Sequence, residues 1–156
     1  MMEQVEGAWK AIDIYTAAQS LKGFGTGIFP SHWLEMSKSR LYDGDASAAW
    51  TLHRVVRDLL SAMSPICPFF CHYLSTTLYG SSAVDVRIFP RLPELMAPED
   101  ATSMRSLTPI ISDFNSQVWK AKKDSGVSLK SPISGISVPS ELSELRESLV
   151  RMHSIE

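Results

Sequence analysis

The sequence predicts a mostly α-helical fold carrying a small α/β appendage. Three observations predict it. Apolar residues recur three and four apart across most of the first 80 positions and again after residue 100. The spacing drops to every second residue only near Val84–Ile88 and in a short stretch at Ile133–Val138. Pro, Gly and Asp-Gly steps punctuate the segments between. A chain of 156 residues, 44% hydrophobic, buries one substantial core or a main body with an addition. The expected division is a helical bundle core over 1–80 and a strand-helix-strand-helix appendage over 81–156 packed on it.

Ala8, Ile12, Tyr15, Ala18 and Leu21 predict one amphipathic helix that weakens at Gly23, Gly25 and Gly27. A second helix is expected after Pro30, with Ser31 as its cap and His32 to Tyr42 as its body, before the Asp43-Gly44-Asp45 turn. The third runs from Ala46 to Met63 on the stripe Ala49, Leu52, Val56, Leu59, Leu60 and Met63. Ser64-Pro65 ends it, and Pro68 opens a fourth whose broad buried face is Phe69, Phe70, Tyr73, Leu74, Thr77 and Leu78, stopping at Gly80.

Val84, Val86 and Ile88 alternate with Asp85 and Arg87 as a half-buried strand. Prolines 90, 93 and 98 follow as a connection. The seam Met104, Leu107, Ile111, Phe114, Val118, Ala121 then predicts a helix, kinked at Pro109 or starting near Thr108, and ending in lysines. Ile133, Gly135, Ile136 and Val138 read as a second strand, and Ser140-Glu141 opens a last helix on Leu142, Leu145, Leu149 and Met152. The two strands are expected to pair and to cover the Phe114 and Val118 seam, because an isolated ribbon is marginal.

Lys and Arg number 15 against 17 Asp and Glu, and the pI is near 6.1, which argues against a strongly basic surface while leaving room for a local one. Cys67 and Cys71 do not make a multi-disulfide framework. No leader pattern or membrane-length apolar run is present, so a cytoplasmic location is expected.

Catalytic chemistry finds little to use. Cys71 and His72 point about 100° apart on a helix and do not pair as nucleophile and base. His32, His53, His72 and His153 lack zinc-ligand spacing, and Gly23-Phe24-Gly25-Thr26-Gly27 lacks the lysine of a phosphate loop. Small buried hydrophobes describe both cysteines best. Two clusters can meet phosphates: a ledge of Arg40, Arg54 and Arg57, and Lys120, Lys122, Lys123 and Lys130 at a helix end and its loop. Trp33 and Trp119 are the stacking candidates.

The run from His32-Trp33-Leu34-Glu35 through Lys38-Ser39-Arg40-Leu41-Tyr42 resembles a helix of the anticodon-binding domain of class I aminoacyl-tRNA synthetases, especially the valyl branch. Ser64-Pro65-Ile66-Cys67-Pro68-Phe69-Phe70 resembles the family's His-Pro-Phe-x-Pro-Phe turn. The segment Val118 to Leu129 resembles the later helix and turn of archaeal-type valyl enzymes. Met36-Ser37-Lys38-Ser39 overlaps the class I catalytic signature, but Glu35 stands at its first position and Arg40-Leu41-Tyr42 follows it, so Lys38 and Arg40 belong to the bundle.

The resemblance, over residues 8 to 139, implies an antiparallel helical bundle of the class I anticodon-binding type. It implies a C-terminal, non-catalytic piece of a valine-tRNA ligase that positions tRNA, expected to be tRNA-Val. Its other partners would be the remaining domains of the parent enzyme, with no membrane. Lys38, Arg40, Arg54, Arg57, Lys120, Lys122 and Lys123 are the expected phosphate contacts. No metal or cofactor is expected in this chain, ATP belonging to the parent's catalytic domain. The alternative is a helical protein-interaction domain that does not bind RNA.

Overall fold

The computed structural model describes residues 1–81 and 98–156, and these are mostly helical. Over those residues the chain forms two compact units, 1–31 with 45–81 and 32–44 with 98–156. The division thus differs from a cut at residue 80: the 32–44 segment joins the C-terminal helices rather than the N-terminal ones.

In the first unit the single helix expected from Ala8 to Leu21 is two, α1 (Met2–Lys10) and α2 (Ile14–Gly23). The break is chemical. Asp13 caps α2, its Oδ1 accepting the Thr16 amide at 3.0 Å, and Ile12 before it takes a left-handed φ of 58°. Val5 and Ala8 of α1, Ala17 and Leu21 of α2 and Ala62 form one core, while Ile12 and Tyr15, expected inside, are 82% and 74% exposed. A β-branched residue in the left-handed region is strained, and the exposed Ile12 side chain gains nothing in return. Ile12→Gly is therefore expected to raise stability by about 1 kcal/mol in urea unfolding.

After α2 the backbone keeps winding as a π-helix through Phe24–Leu34, where a loop and a fresh helix start were expected. Pro30 lies inside it with no amide hydrogen to donate to the ladder. Within the first unit, α4 (Ala46–Met63) and α5 (Pro68–Tyr79) match their expected bounds. Asp45 accepts the Ser47 and Ala48 amides at 2.8 and 3.1 Å, and Gly80 closes α5 at φ 66°. The inner face of α5 is a correction: Cys71 and Ser75 are buried, with Leu74 packed beside them against Leu60, whereas Phe69 is 90% exposed and Phe70 and Tyr73 are also open.

The second unit holds α3 (Glu35–Tyr42), α6 (Pro98–Asp124), a 3-10 turn over Ser140–Leu145 and α7 (Arg146–His153). α6 passes through Pro109 as one helix, because that residue lies on the exposed side while Leu107, Ile110 and Ile111 pack inward. The seam starts at Leu107, Met104 being half exposed. Among the described residues no strand forms. Ile133 makes one parallel bridge to Ile155, and Ile136 and Val138 are irregular. They nevertheless cover Phe114 and Val118 as expected, together with Leu142 and Leu149. The strand expected at Val84–Ile88 lies outside the described residues. Among the described residues no helix is long and apolar enough to cross a membrane.

Candidate nucleic-acid interface

Each cation named from the sequence has a definite place. Arg54, on α4, directs its Nε to both Asp58 oxygens at 3.1 and 3.0 Å, which neutralises it locally. Arg57, one turn along, lays its guanidinium 4.7 Å above the Tyr79 ring. Burial raises the Tyr79 phenol pKa, partly countered by Arg57, so the contact is of a cation with a neutral ring. Arg40 belongs to the other unit, on α3, where it is exposed and already engaged by a neighbour. Lys38 is ion-paired with Glu35, which raises its pKa. The Arg40, Arg54 and Arg57 ledge is therefore divided between the units, and its α4 members are occupied.

The lysine cluster is different. Lys120 and Lys123 are exposed, three apart and so on one face of the last turns of α6, and Lys130 is exposed on the loop that follows. Among the described residues none of the three has an ion-pair partner. Asp124 is the acidic residue within the run from Lys120 to Lys130. The helix carbonyl end favours the lysine charges, which extend from it into water.

Lys122 is a correction to the expected track: its side chain is fully buried. Its Nζ donates to the carbonyl oxygens of Leu129, Ser131 and His153 at 2.8, 2.7 and 2.6 Å. Three acceptors use all three ammonium protons, while burial lowers the pKa. The residue pins the 129–131 loop and the end of α7 to α6, and it cannot meet a phosphate.

Beside it lies a polar relay that sequence reasoning missed. His153 Nε2 lies 2.7 Å from Asn115 Oδ1, and Asn115 Nδ2 lies 2.9 Å from His32 Nδ1. An amide oxygen only accepts and an amide nitrogen only donates, so His153 carries its proton on Nε2 and His32 leaves Nδ1 bare. Burial, and then the Lys122 charge, pushes His153 down to about 4, and burial also lowers His32. Trp119 is packed against both rings, at 5.6 Å from His32 and 5.9 Å from His153. It is half buried, as is Trp33, which is engaged by a neighbour; each serves packing first.

Among the described residues no three His, Cys, Asp or Glu side chains converge on a metal position.

Comparison with known proteins shows what the chain is similar to. The profile of the "Anticodon-binding domain of tRNA ligase" matches residues 1–137. Relatives include the valine-tRNA ligase of Aeropyrum pernix, 31% identical over 97% of this chain and 19% of its own. That of Nanoarchaeum equitans is 31% identical over 89% of this chain and 18% of its own. That of Pyrobaculum aerophilum is 28% identical over 98% of this chain and 20% of its own. The chain thus spans about a fifth of the length of these relatives. No solved structure matches it. This helical chain, matched by that profile over most of its length, belongs to the anticodon-binding domain family of tRNA ligases.

Proposed function

We propose that this chain binds tRNA at the anticodon stem and loop, and that it does so as the anticodon-binding part of a valine-tRNA ligase acting on tRNA-Val. The observation that carries the reading is the cluster of Lys120, Lys123 and Lys130, exposed and without an ion-pair partner among the described residues, on a member of this family. Lysines at a helix end recognise phosphate by point charge, so they set position and register while exposed loop bases supply any sequence preference. Arg40 on α3 is a second contact within the same unit. Activation of valine with ATP would belong to the rest of such an enzyme, and a cytoplasmic location goes with the role.

The test is fluorescence anisotropy of labelled tRNA-Val against the chain at several salt concentrations. Three lysine contacts give a slope of log affinity on log salt of about −2 to −3. Lys120→Glu with Lys123→Glu should weaken binding about tenfold or more and flatten that slope by about 2, with helicity unchanged. Unchanged affinity in the double variant sinks the lysine surface.

A second reading, docking of a protein through α5, is favoured by one observation: Phe69, Phe70 and Tyr73 are open on a helix that contains no Asp, Glu, Lys or Arg. Salt-insensitive behaviour and no tRNA binding in the same titration would favour it.

A further inference from the structure

The α4–α5 turn carries a pair of thiols to which the proposed tRNA contact assigns no role. Cys67 is the residue before Pro68, outside the helix at φ −132° and ψ 68°, and Cys71 is one turn into α5. Their Sγ atoms are 3.7 Å apart. Cys71 is completely buried against Leu60, whereas Cys67 is half exposed. One thiol can meet a small oxidant and the other lies within reach but is shielded from it.

We propose that Cys67 and Cys71 form a redox site that closes to an intrachain disulfide when a peroxide oxidises Cys67. The Cys67 thiolate attacks one peroxide oxygen, the O–O bond breaks, and Cys67 becomes a sulfenic acid with hydroxide released; the thiol proton converts that hydroxide to water. Cys71 sulfur then attacks the Cys67 sulfur, the S–O bond breaks, and the departing hydroxide takes the Cys71 proton as a second water. Two thiols lose two electrons and two protons, and one peroxide is reduced to two waters.

Geometry supports this order. A disulfide needs the sulfurs at about 2 Å, so one must move by less than about 2 Å. Cys67 is the one able to move, since it lies outside α5 and follows the Ser64–Ile66 turn. Burial and the neighbouring Cys67 push the Cys71 thiol up to about 12, which keeps it protonated and unreactive toward the oxidant itself. Its reaction therefore depends on the sulfenic acid arriving beside it. The Cys67 Sγ contact to the Met63 carbonyl, at 3.6 Å, holds the thiol over the pair.

The experiment treats the chain with hydrogen peroxide, denatures it, labels remaining thiols with a maleimide and reads the tryptic peptide between Arg57 and Arg87, which holds both cysteines. Maleimide uptake is blind to oxidation of Met63 in the same peptide. The expected result is loss of both labels together in a monomeric chain, with both restored by dithiothreitol. In Cys71→Ser, Cys67 should instead stop as a sulfenic acid that dimedone traps. Three results overturn the proposal: Cys67 oxidised beyond sulfenic acid while Cys71 still takes label, disulfide-linked dimers, or both thiols still labelled after peroxide has oxidised exposed methionines.

Discussion

Lys122→Met should destabilise the second unit by about 3 kcal/mol or more, which for a domain of this size is a large share of its folding free energy. Methionine fills nearly the same space, so the loss is not a cavity effect. It comes from three carbonyls, of Leu129, Ser131 and His153, that lose their donor at once, the first two partly buried and the last fully so. Each orphaned buried acceptor costs about 1–3 kcal/mol, partly offset because the ammonium no longer has to leave water. Lys122→Arg is expected to be little better, since a planar guanidinium cannot direct three N–H groups from one atom as an ammonium does. Urea unfolding followed by circular dichroism, with hydrogen exchange along α6 and α7, measures this. A variant within about 0.5 kcal/mol of the parent would show that the three carbonyls find other donors.

That expectation also separates two explanations of any RNA defect. A Lys122 variant that loses tRNA binding only where it unfolds has lost a scaffold, whereas the Lys120 and Lys123 double variant should lose binding while folded. The distinction follows from helix geometry. Lys120 and Lys123 are one turn apart and face water; Lys122 lies four residues beyond Val118 and eight beyond Phe114, on the buried stripe.

The sequence held that information in ambiguous form. The seam Leu107, Ile111, Phe114, Val118 can continue to Ala121 or to Lys122, and hydrophobicity selects the alanine. Only the three carbonyls brought in by 129–131 and by the end of α7 make a lysine acceptable inside; the first two come from the turn after α6 and the third from 31 residues on, and no periodicity reports either. The helices with strong local punctuation were legible: α4 between Asp45 and Ser64-Pro65, and α5 between Pro68 and Gly80. The face of α5 was not, because PFFCHYL places apolar residues on every side and leaves the buried one to be chosen by α4. The break at Ile12 was hidden for the opposite reason. An apolar residue fitted the helical stripe, while its strained backbone and the Asp13 cap were set by the return of α2 against α1. Ile133 to Val138 kept the right inward residues without a ladder, since period two reports burial on one side and not the existence of a partner strand.

The relay beside Lys122 is expected to make the second unit lose stability as pH falls below about 6.5. His153 titrates near 4 in the fold and near 6.5 when unfolded, so between those values the unfolded chain binds the extra proton. A lowered histidine contributes stability that is complete above pH 6.5 and is lost as pH falls toward 4. For His153 the loss amounts to about 2 kcal/mol by pH 5 and about 3 kcal/mol by pH 4. His32 acts in the same direction: a proton on its Nδ1 would face the Asn115 amide donors, and Asn115 cannot turn over without losing its bond from His153. Urea midpoints of the second unit measured from pH 7 down to pH 4.5 should therefore fall steadily. His153→Gln keeps a side-chain donor for Asn115 and the backbone carbonyl for Lys122 but removes the titration, so its profile should be flatter over the same range even if its stability at pH 7 is lower. An equal slope in parent and variant would place the acid sensitivity elsewhere in the chain.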